Sequence, residues 1–110
     1  MNLYIKDRIY LPQLLPQQGS FMEFNLKRSI LKKIVLTPED HKVFNIQEDK
    51  ANGRITWDSD KDQNEPLVVN FTSEELIFLR KGCEQFTEKE TPAPDDFWVL
   101  VEKIYDTQQD

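Results

Sequence analysis

The hydrophobic pattern predicts a long helix in the first third of the chain. Apolar residues recur there every four positions, which is the spacing of one face of an α-helix. The stripe consists of Met22, Leu26, Ile30 and Ile34. Ser20 and Glu23 stand at its start with the spacing of a capping box, in which each side chain binds the other residue's amide. Met22 and Phe24 also alternate as strand residues would, but the uninterrupted four-residue spacing favours a helix.

Two further helices are predicted from their N-terminal residues. Thr37 followed by Pro38 has the pattern of an N-cap and a first helical residue, and predicts a short helix to about Phe44. Thr72 and Glu75 form a second capping box, and predict a helix that ends near residue 86. One face of this helix is expected to be buried, and it consists of Leu76, Leu79, Cys83 and Phe86.

The beginning of the chain is expected to be ordered, whereas its last residues are expected to be frayed. Two apolar clusters, Leu3–Ile5 and Ile9–Leu11, precede Pro12 and predict a short strand or single helical turn, then an ordered loop. Asp95 is expected to cap a last helix over about residues 96–105. That helix would bury Phe97, Val101 and Ile104. The polar residues 106–110 are predicted to form a frayed tail.

Three segments have the pattern of short β-strands. Residues 45–47 and 53–57 are joined by a turn in which Asn52-Gly53 accommodates positive φ angles. Leu67–Phe71 has the strongest strand pattern because it is rich in β-branched and aliphatic residues. The polar residues 58–66 between these strands are predicted to form a loop.

This order of elements predicts one globular α+β domain over residues 1–110. We expect a small, mostly antiparallel three-stranded sheet with about four helices packed against it. Three strands alone are marginally stable in water, so the helices must cover them. The chain supplies enough apolar material for one core, since 38% of its residues are hydrophobic and 11% are aromatic.

Net charge argues against two classes of partner. The chain carries a formal charge of −6, which disfavours nucleic acid and anionic membranes. The charge is uneven: residues 1–43 hold seven basic and four acidic residues, whereas residues 44–110 hold seven and sixteen. No stretch approaches the ~20 consecutive apolar residues of a membrane-spanning helix. The expected partner is therefore another protein, or a second copy of this chain.

Cysteine content and the N-terminus predict a cytoplasmic location. Cys83 is the single cysteine, so the chain has no intramolecular disulfide, whereas small secreted domains usually depend on several. Charged residues between Lys6 and Arg8 occupy the place where a signal peptide has its apolar region.

The sequence contains few residues that could form a catalytic site. A nucleophilic Cys–His pair would need Cys83, which is expected in the core, together with the single histidine, His41. With three glycines, the chain has no glycine-rich phosphate loop. We therefore expect a non-enzymatic protein with no catalytic residues and no cofactor. An enzyme that acts through paired carboxylates is a further hypothesis, and it requires a pocket lined by at least two acids with perturbed pKa values.

One acidic segment partly matches the pattern of a metal-binding site. Asp58, Asp60 and Asp62 place oxygen ligands at alternate positions, as the first half of a calcium-binding loop does. The second half departs from that pattern, since Gln63 replaces the glycine and Val69 replaces the glutamate. A weak metal- or small-ligand-binding module built on residues 58–65 is therefore the alternative function.

Large aromatic residues are the candidates for an interface. Trp57 and Trp98 are the two tryptophans, and this residue type is enriched at binding hot spots. Together with the uneven charge, they favour an accessory or regulatory protein that works by binding another protein.

Four short motifs lie in order along the chain. They are Leu14-Leu15-Pro16-x-x-Gly19, Arg28-x-Ile30, Thr37-Pro38-Glu39 and Gly53-x-Ile55-x-Trp57. Over about residues 8–105 this combination resembles a group of short uncharacterised proteins found in phage, prophage and bacterial genomes. The resemblance implies a possible origin in a mobile element, and it implies no activity or catalytic residue.

Overall fold

A computed structural model describes residues 1–107 of the chain, so the end of the predicted tail lies outside the described residues. The α-helices are α1 (Ile5–Tyr10), α2 (Phe21–Ile34), α3 (Pro38–Val43), α4 (Ser59–Asn64), α5 (Ser73–Glu88) and α6 (Asp95–Asp106), and a 3-10 helix spans Leu11–Leu14. The strands are β1 (Asn2–Leu3), β2 (Gln47–Asp49), β3 (Arg54–Thr56) and β4 (Leu67–Val68). The mixed helix-and-strand architecture confirms the α+β prediction. None of the described helices is both long and apolar enough to cross a bilayer.

The prediction of a three-stranded sheet is wrong. The described strands form two separate antiparallel pairs, β1 with β4 and β2 with β3. The β2–β3 hairpin is exposed along its whole length, so it has no apolar face to bury against a larger sheet. The strand predicted over Leu67–Phe71 stops at Val68, where Asn2 is the pairing partner, and Val69 and Phe71 then turn into the core.

Two other predictions of local structure need correction. The segment predicted as a polar loop folds into α4, because Asp58 caps it by accepting a hydrogen bond from the Lys61 amide at 3.2 Å. The loop expected after the first helical turn begins as the 3-10 helix, with Pro12 in its first turn. Pro12 fits there because its missing N–H lies at a position that needs no helical partner.

Three of the four predicted helix starts are confirmed, whereas the last helix begins at Asp95 itself, with Pro94 rather than Asp95 at the N-cap position. Ser20 and Glu23 form the capping box of α2, and Thr72 and Glu75 form that of α5. α3 begins at Pro38 as expected. These starts could be predicted because they depend on local contacts, in which each pair of groups lies within one helical turn.

The main core lies between α5, α6, the 3-10 helix and the C-terminal half of α2. The buried residues contributed by α5 and α6 include Leu76, Leu79, Cys83, Phe97, Leu100, Val101 and Ile104. Cys83 is fully buried, and burial raises the pKa of its thiol to about 11, so it is a core residue rather than a nucleophile. Met22 departs from the predicted stripe: Ile30 and Ile34 are buried, whereas Met22 is 74% exposed.

A buried arginine joins three helices. The Arg8 side chain donates hydrogen bonds to the Ile34 carbonyl at 2.9 Å and to the Val35 carbonyl at 2.6 Å. It also pairs with Asp40 of α3 at 2.8 Å. The last carbonyls of a helix have no partner within the helix, so this guanidinium satisfies the C-terminus of α2 from outside.

Candidate functional site

The N-terminal half of α2 presents three large apolar side chains to solvent. Phe21 is 79% exposed, Met22 is 74% exposed and Phe24 is 50% exposed. The helix buries Ile30 and Ile34, and at 100° per residue Phe21 and Phe24 point away from that stripe. Phe21 and Phe24 therefore form a surface that we call the α2 aromatic face, whereas Met22 is two positions from Phe24 and lies on another side of the helix.

The two phenylalanines are arranged as a pair. Their ring centroids lie 6.4 Å apart with 19° between the ring planes, because residues three apart are neighbours on a helix surface. The guanidinium carbon of Arg28 lies 5.6 Å from the centroid of Phe24. The face is therefore an ordered aromatic platform with a cation over one ring.

A groove lies beside the α2 aromatic face, where the turn before α2 approaches α5. It has a volume of about 300 Å³, and its lining residues are Pro16, Gln17, Gln18, Gly19, Glu23, Phe24, Lys27 and Phe78. Phe78 is 6% exposed. Phe24 thus belongs both to the exposed platform and to the wall of a concave surface with apolar and hydrogen-bonding groups.

The Glu23 carboxylate in this groove is held by neighbours. It accepts a hydrogen bond from the Ser20 amide at 3.1 Å and lies 3.9 Å from the Lys81 ammonium. The Ser20 amide, followed by the Ser20 hydroxyl and Lys81, holds the pKa of Glu23 below its usual value. Glu23 is therefore a structural carboxylate in its charged form.

The predicted interface residues lie elsewhere in the fold. Trp98 is half-buried and packs edge-on against Phe97, with ring centroids 5.4 Å apart, beside the main core. Trp57 is half-buried in a second cluster with Ile5, Phe44 and Ile46. The two tryptophans thus belong to different clusters, and their role in an interface stays a prediction.

Sequence reasoning missed Phe21 and Phe24 as candidates and assigned Met22 to the core. A signal was present, because Phe21 and Phe24 do not fall on the four-residue stripe of α2. Large apolar residues off the buried stripe of an otherwise well-patterned helix indicate an exposed face.

A polar cavity of about 640 Å³ lies between α1, α4 and α6. Its lining residues are Tyr4, Lys6, Asp7, Trp57, Ser59, Asp62, Gln63, Asn64, Asp96, Val99 and Lys103. Asp62 is 6% exposed and accepts a hydrogen bond from the Ile5 amide at 3.0 Å. Asp7 accepts one from the Tyr4 amide at 3.0 Å and another from Lys103 at 2.8 Å. Both carboxylates therefore cap the N-terminus of α1.

The electrostatics of this cavity centre on Asp62. Burial, aided by the nearby Asp7 charge, raises the pKa of Asp62 above its usual value, while the Ile5 amide, Arg8 and Trp57 favour its ionised form. A pocket with a perturbed acid is one requirement of the carboxylate-enzyme hypothesis. Helix capping already explains why Asp7 and Asp62 are buried, so their burial does not by itself support catalysis. The carboxylate-enzyme hypothesis therefore stays a prediction.

The three aspartates of the metal hypothesis point in different directions. Asp58 caps α4, Asp60 is exposed in its first turn, and Asp62 turns into the interior. Positions two apart on a helix lie on opposite sides of it. Across residues 1–107, no group of three or more His, Cys, Asp or Glu side chains is arranged to hold a metal ion.

The positions of these three aspartates predict that calcium does not stabilise the protein. Addition of millimolar Ca²⁺ is expected to leave the melting temperature unchanged, because the three carboxylates do not converge on one ion. Differential scanning fluorimetry with and without a chelator measures this. A rise in melting temperature that is lost in Asp60→Ala and retained in Glu84→Ala would support the metal-binding alternative instead.

Comparisons of the chain with protein-family models, with curated proteins and with solved structures found no match.

Proposed function

We propose that this chain is a non-enzymatic accessory protein that acts by binding another protein, and that the α2 aromatic face is its contact surface. The supporting observation is the exposure of Phe21 and Phe24, whose rings stack against each other at the start of one helix. Scattered apolar residues are normal on protein surfaces, but a contiguous cluster bordered by polar groups is typical of an interaction site.

The shape of this region fits a modest interface. A fully covered aromatic side chain contributes about 150–250 Å² of buried area, and phenylalanine is enriched in interface cores. The adjoining groove adds a concave surface whose lining includes Phe78. The face and groove together suit a partner segment or a small domain, rather than the large surface of an obligate dimer.

The biological setting in this proposal rests on sequence alone. The lone Cys83 supports a cytoplasmic location. The resemblance to short phage and prophage proteins supports a regulator, inhibitor or assembly component of a mobile element.

A pull-down from nuclease-treated lysate of the native host tests the proposal. The tagged chain is expected to retain one partner at near-stoichiometric yield, and Phe21→Ser/Phe24→Ser is expected to lose most of it, because hot-spot aromatics dominate interface energies. Mass spectrometry identifies the partner and compares its yield between variants. Both substituted side chains are exposed, so the variant is expected to keep the melting temperature of the wild type.

Ile77→Ser is the matched control, since Ile77 is 64% exposed on α5 and outside the α2 aromatic face. It should recover the partner as the wild type does. The proposal fails if Phe21→Ser/Phe24→Ser retains the partner fully, or if wild-type protein recovers none.

A further inference from the structure

The α2 aromatic face is bordered by positive charge, although the chain as a whole is acidic. Lys27, Arg28 and Lys32 lie on α2, and within residues 1–107 none of them forms an ion pair. Arg28 lies over the Phe24 ring and Lys27 lines the groove. Uncompensated cations thus stand directly beside the apolar surface.

The acidic residue that lines the groove, Glu23, is already engaged. Glu23 binds the Ser20 amide and lies within ion-pair distance of Lys81, so it does not neutralise Arg28. Lys33, further along α2, pairs with the buried Glu75 and is unavailable to a partner. The charges that remain free beside the face are therefore positive, and a complementary partner carries negative ones.

We infer that the α2 aromatic face binds an acidic, amphipathic segment of a partner protein, in which apolar side chains alternate with Asp or Glu. The inference rests on the proposed function and specifies the chemistry of the partner. Apolar side chains of the segment cover Phe21 and Phe24 and enter the groove. Its carboxylates pair with Arg28 and Lys27, which gives the contact both orientation and a dependence on salt.

Two other occupants fit this surface less well. A bilayer is flat on this scale, whereas the groove is concave, and a net charge of −6 opposes approach to anionic lipid. A twofold dimer through this face would bring together two copies of the same positively charged patch, because such an interface joins identical surfaces. Like charges brought together in this way are unfavourable.

Selection from a library of random peptides displayed on phage tests the inference. The immobilised wild-type chain is the target of one selection, and Phe21→Ser/Phe24→Ser is the target of a parallel selection from the same library. The enriched peptides are expected to carry net negative charge and at least one aromatic or leucine residue. Their sequences identify the preferred chemistry without knowledge of the natural partner.

Fluorescence anisotropy of one labelled, selected peptide then measures the contribution of charge. Arg28→Glu is expected to weaken binding by about tenfold, as loss of a well-placed interfacial charge pair does. Lys50→Glu is the matched control, because Lys50 is exposed in the β2–β3 turn and carries the same charge change. Replacing the acidic residues of the peptide with lysine should restore binding to Arg28→Glu.

The outcomes separate this inference from the proposal on which it rests. Peptides that need Phe21 and Phe24 but are neutral or basic overturn the acidic partner and leave protein binding supported. Peptides that bind Phe21→Ser/Phe24→Ser equally, or no enrichment at all, overturn both. The inference is also overturned by co-sedimentation with phosphatidylserine vesicles, or by a dimer in analytical ultracentrifugation, if either requires Phe21 and Phe24.

Discussion

Glu75→Ala is expected to lower the free energy of unfolding by about 2–3 kcal/mol, less than the usual cost of breaking a fully buried ion pair because the Lys33 side chain is 32% exposed. Glu75 is 1% exposed. Its carboxylate accepts hydrogen bonds from the Ser29 hydroxyl at 2.7 Å and the Thr72 amide at 2.8 Å, and it pairs with Lys33. One side chain therefore caps α5 and joins it to α2, and its loss leaves a cation and an amide without their partner.

The same carboxylate makes stability depend on pH. Burial alone would raise the pKa of Glu75, but Lys33, the Thr72 amide and Ser29 together hold it below its ordinary value of 4.5. Because the folded protein then binds the proton less readily than the unfolded chain, the stabilisation is complete above that value. It is lost as the pH falls through the lowered pKa.

Urea unfolding followed by circular dichroism at pH 7 and at about pH 3 measures both effects. Glu74→Ala is the matched control, since Glu74 is exposed in the same helical turn. Glu75→Gln should lose part of the stability at pH 7 and show a weaker acid dependence. A cost for Glu75→Ala no larger than that for Glu74→Ala would contradict the structural role assigned to this carboxylate.

Gly82→Ala is expected to destabilise the protein by about 3 kcal/mol, at the upper end of the usual cost of overpacking a core. Alanine in place of glycine in the interior of a helix normally stabilises by about 1 kcal/mol. Gly82, however, is buried where α5 meets the 3-10 helix, and a Cβ atom there would overlap the carbonyl oxygen of Leu14. A backbone oxygen cannot move aside as a flexible side chain can, so the two elements would have to separate.

Thermal unfolding by circular dichroism is the measurement, and a loss of this size corresponds to a decrease in melting temperature of more than about 10 °C. Gln85→Ala, at an exposed position of the same helix, should change the melting temperature little. An unchanged or raised melting temperature in Gly82→Ala would contradict this steric account, because it would mean that the 3-10 helix moves away from α5 at little cost.

The helix starts could be predicted because their chemistry is local. Ser20 with Glu23, and Thr72 with Glu75, lie three residues apart, so each capping box is visible in the sequence and is present in the structure. The burial of Cys83 followed in the same way from its place on the apolar face of α5. A periodic pattern identifies a buried face when the whole length of the helix is packed.

The candidate site was predictable only in part. The sequence pointed to Trp57 and Trp98, whereas the structure shows Phe21 and Phe24 exposed and stacked against each other on α2. The pattern of α2 continues through Met22, but contact with α5 covers the later turns of the helix. How far along a helix its neighbour reaches depends on the packing of the whole domain, and hydrophobic spacing does not contain that information.

By itself, the sequence determined the mixed α+β class, the starts of α2, α3 and α5, and the inward faces of α5 and α6. The tertiary structure alone decided the strand pairing, in which Leu3 meets Leu67. It also decided that Asp62 caps α1 across 57 residues of chain. Propensity and capping act within one turn of the chain, whereas strand pairing and buried charges depend on residues that only folding brings together.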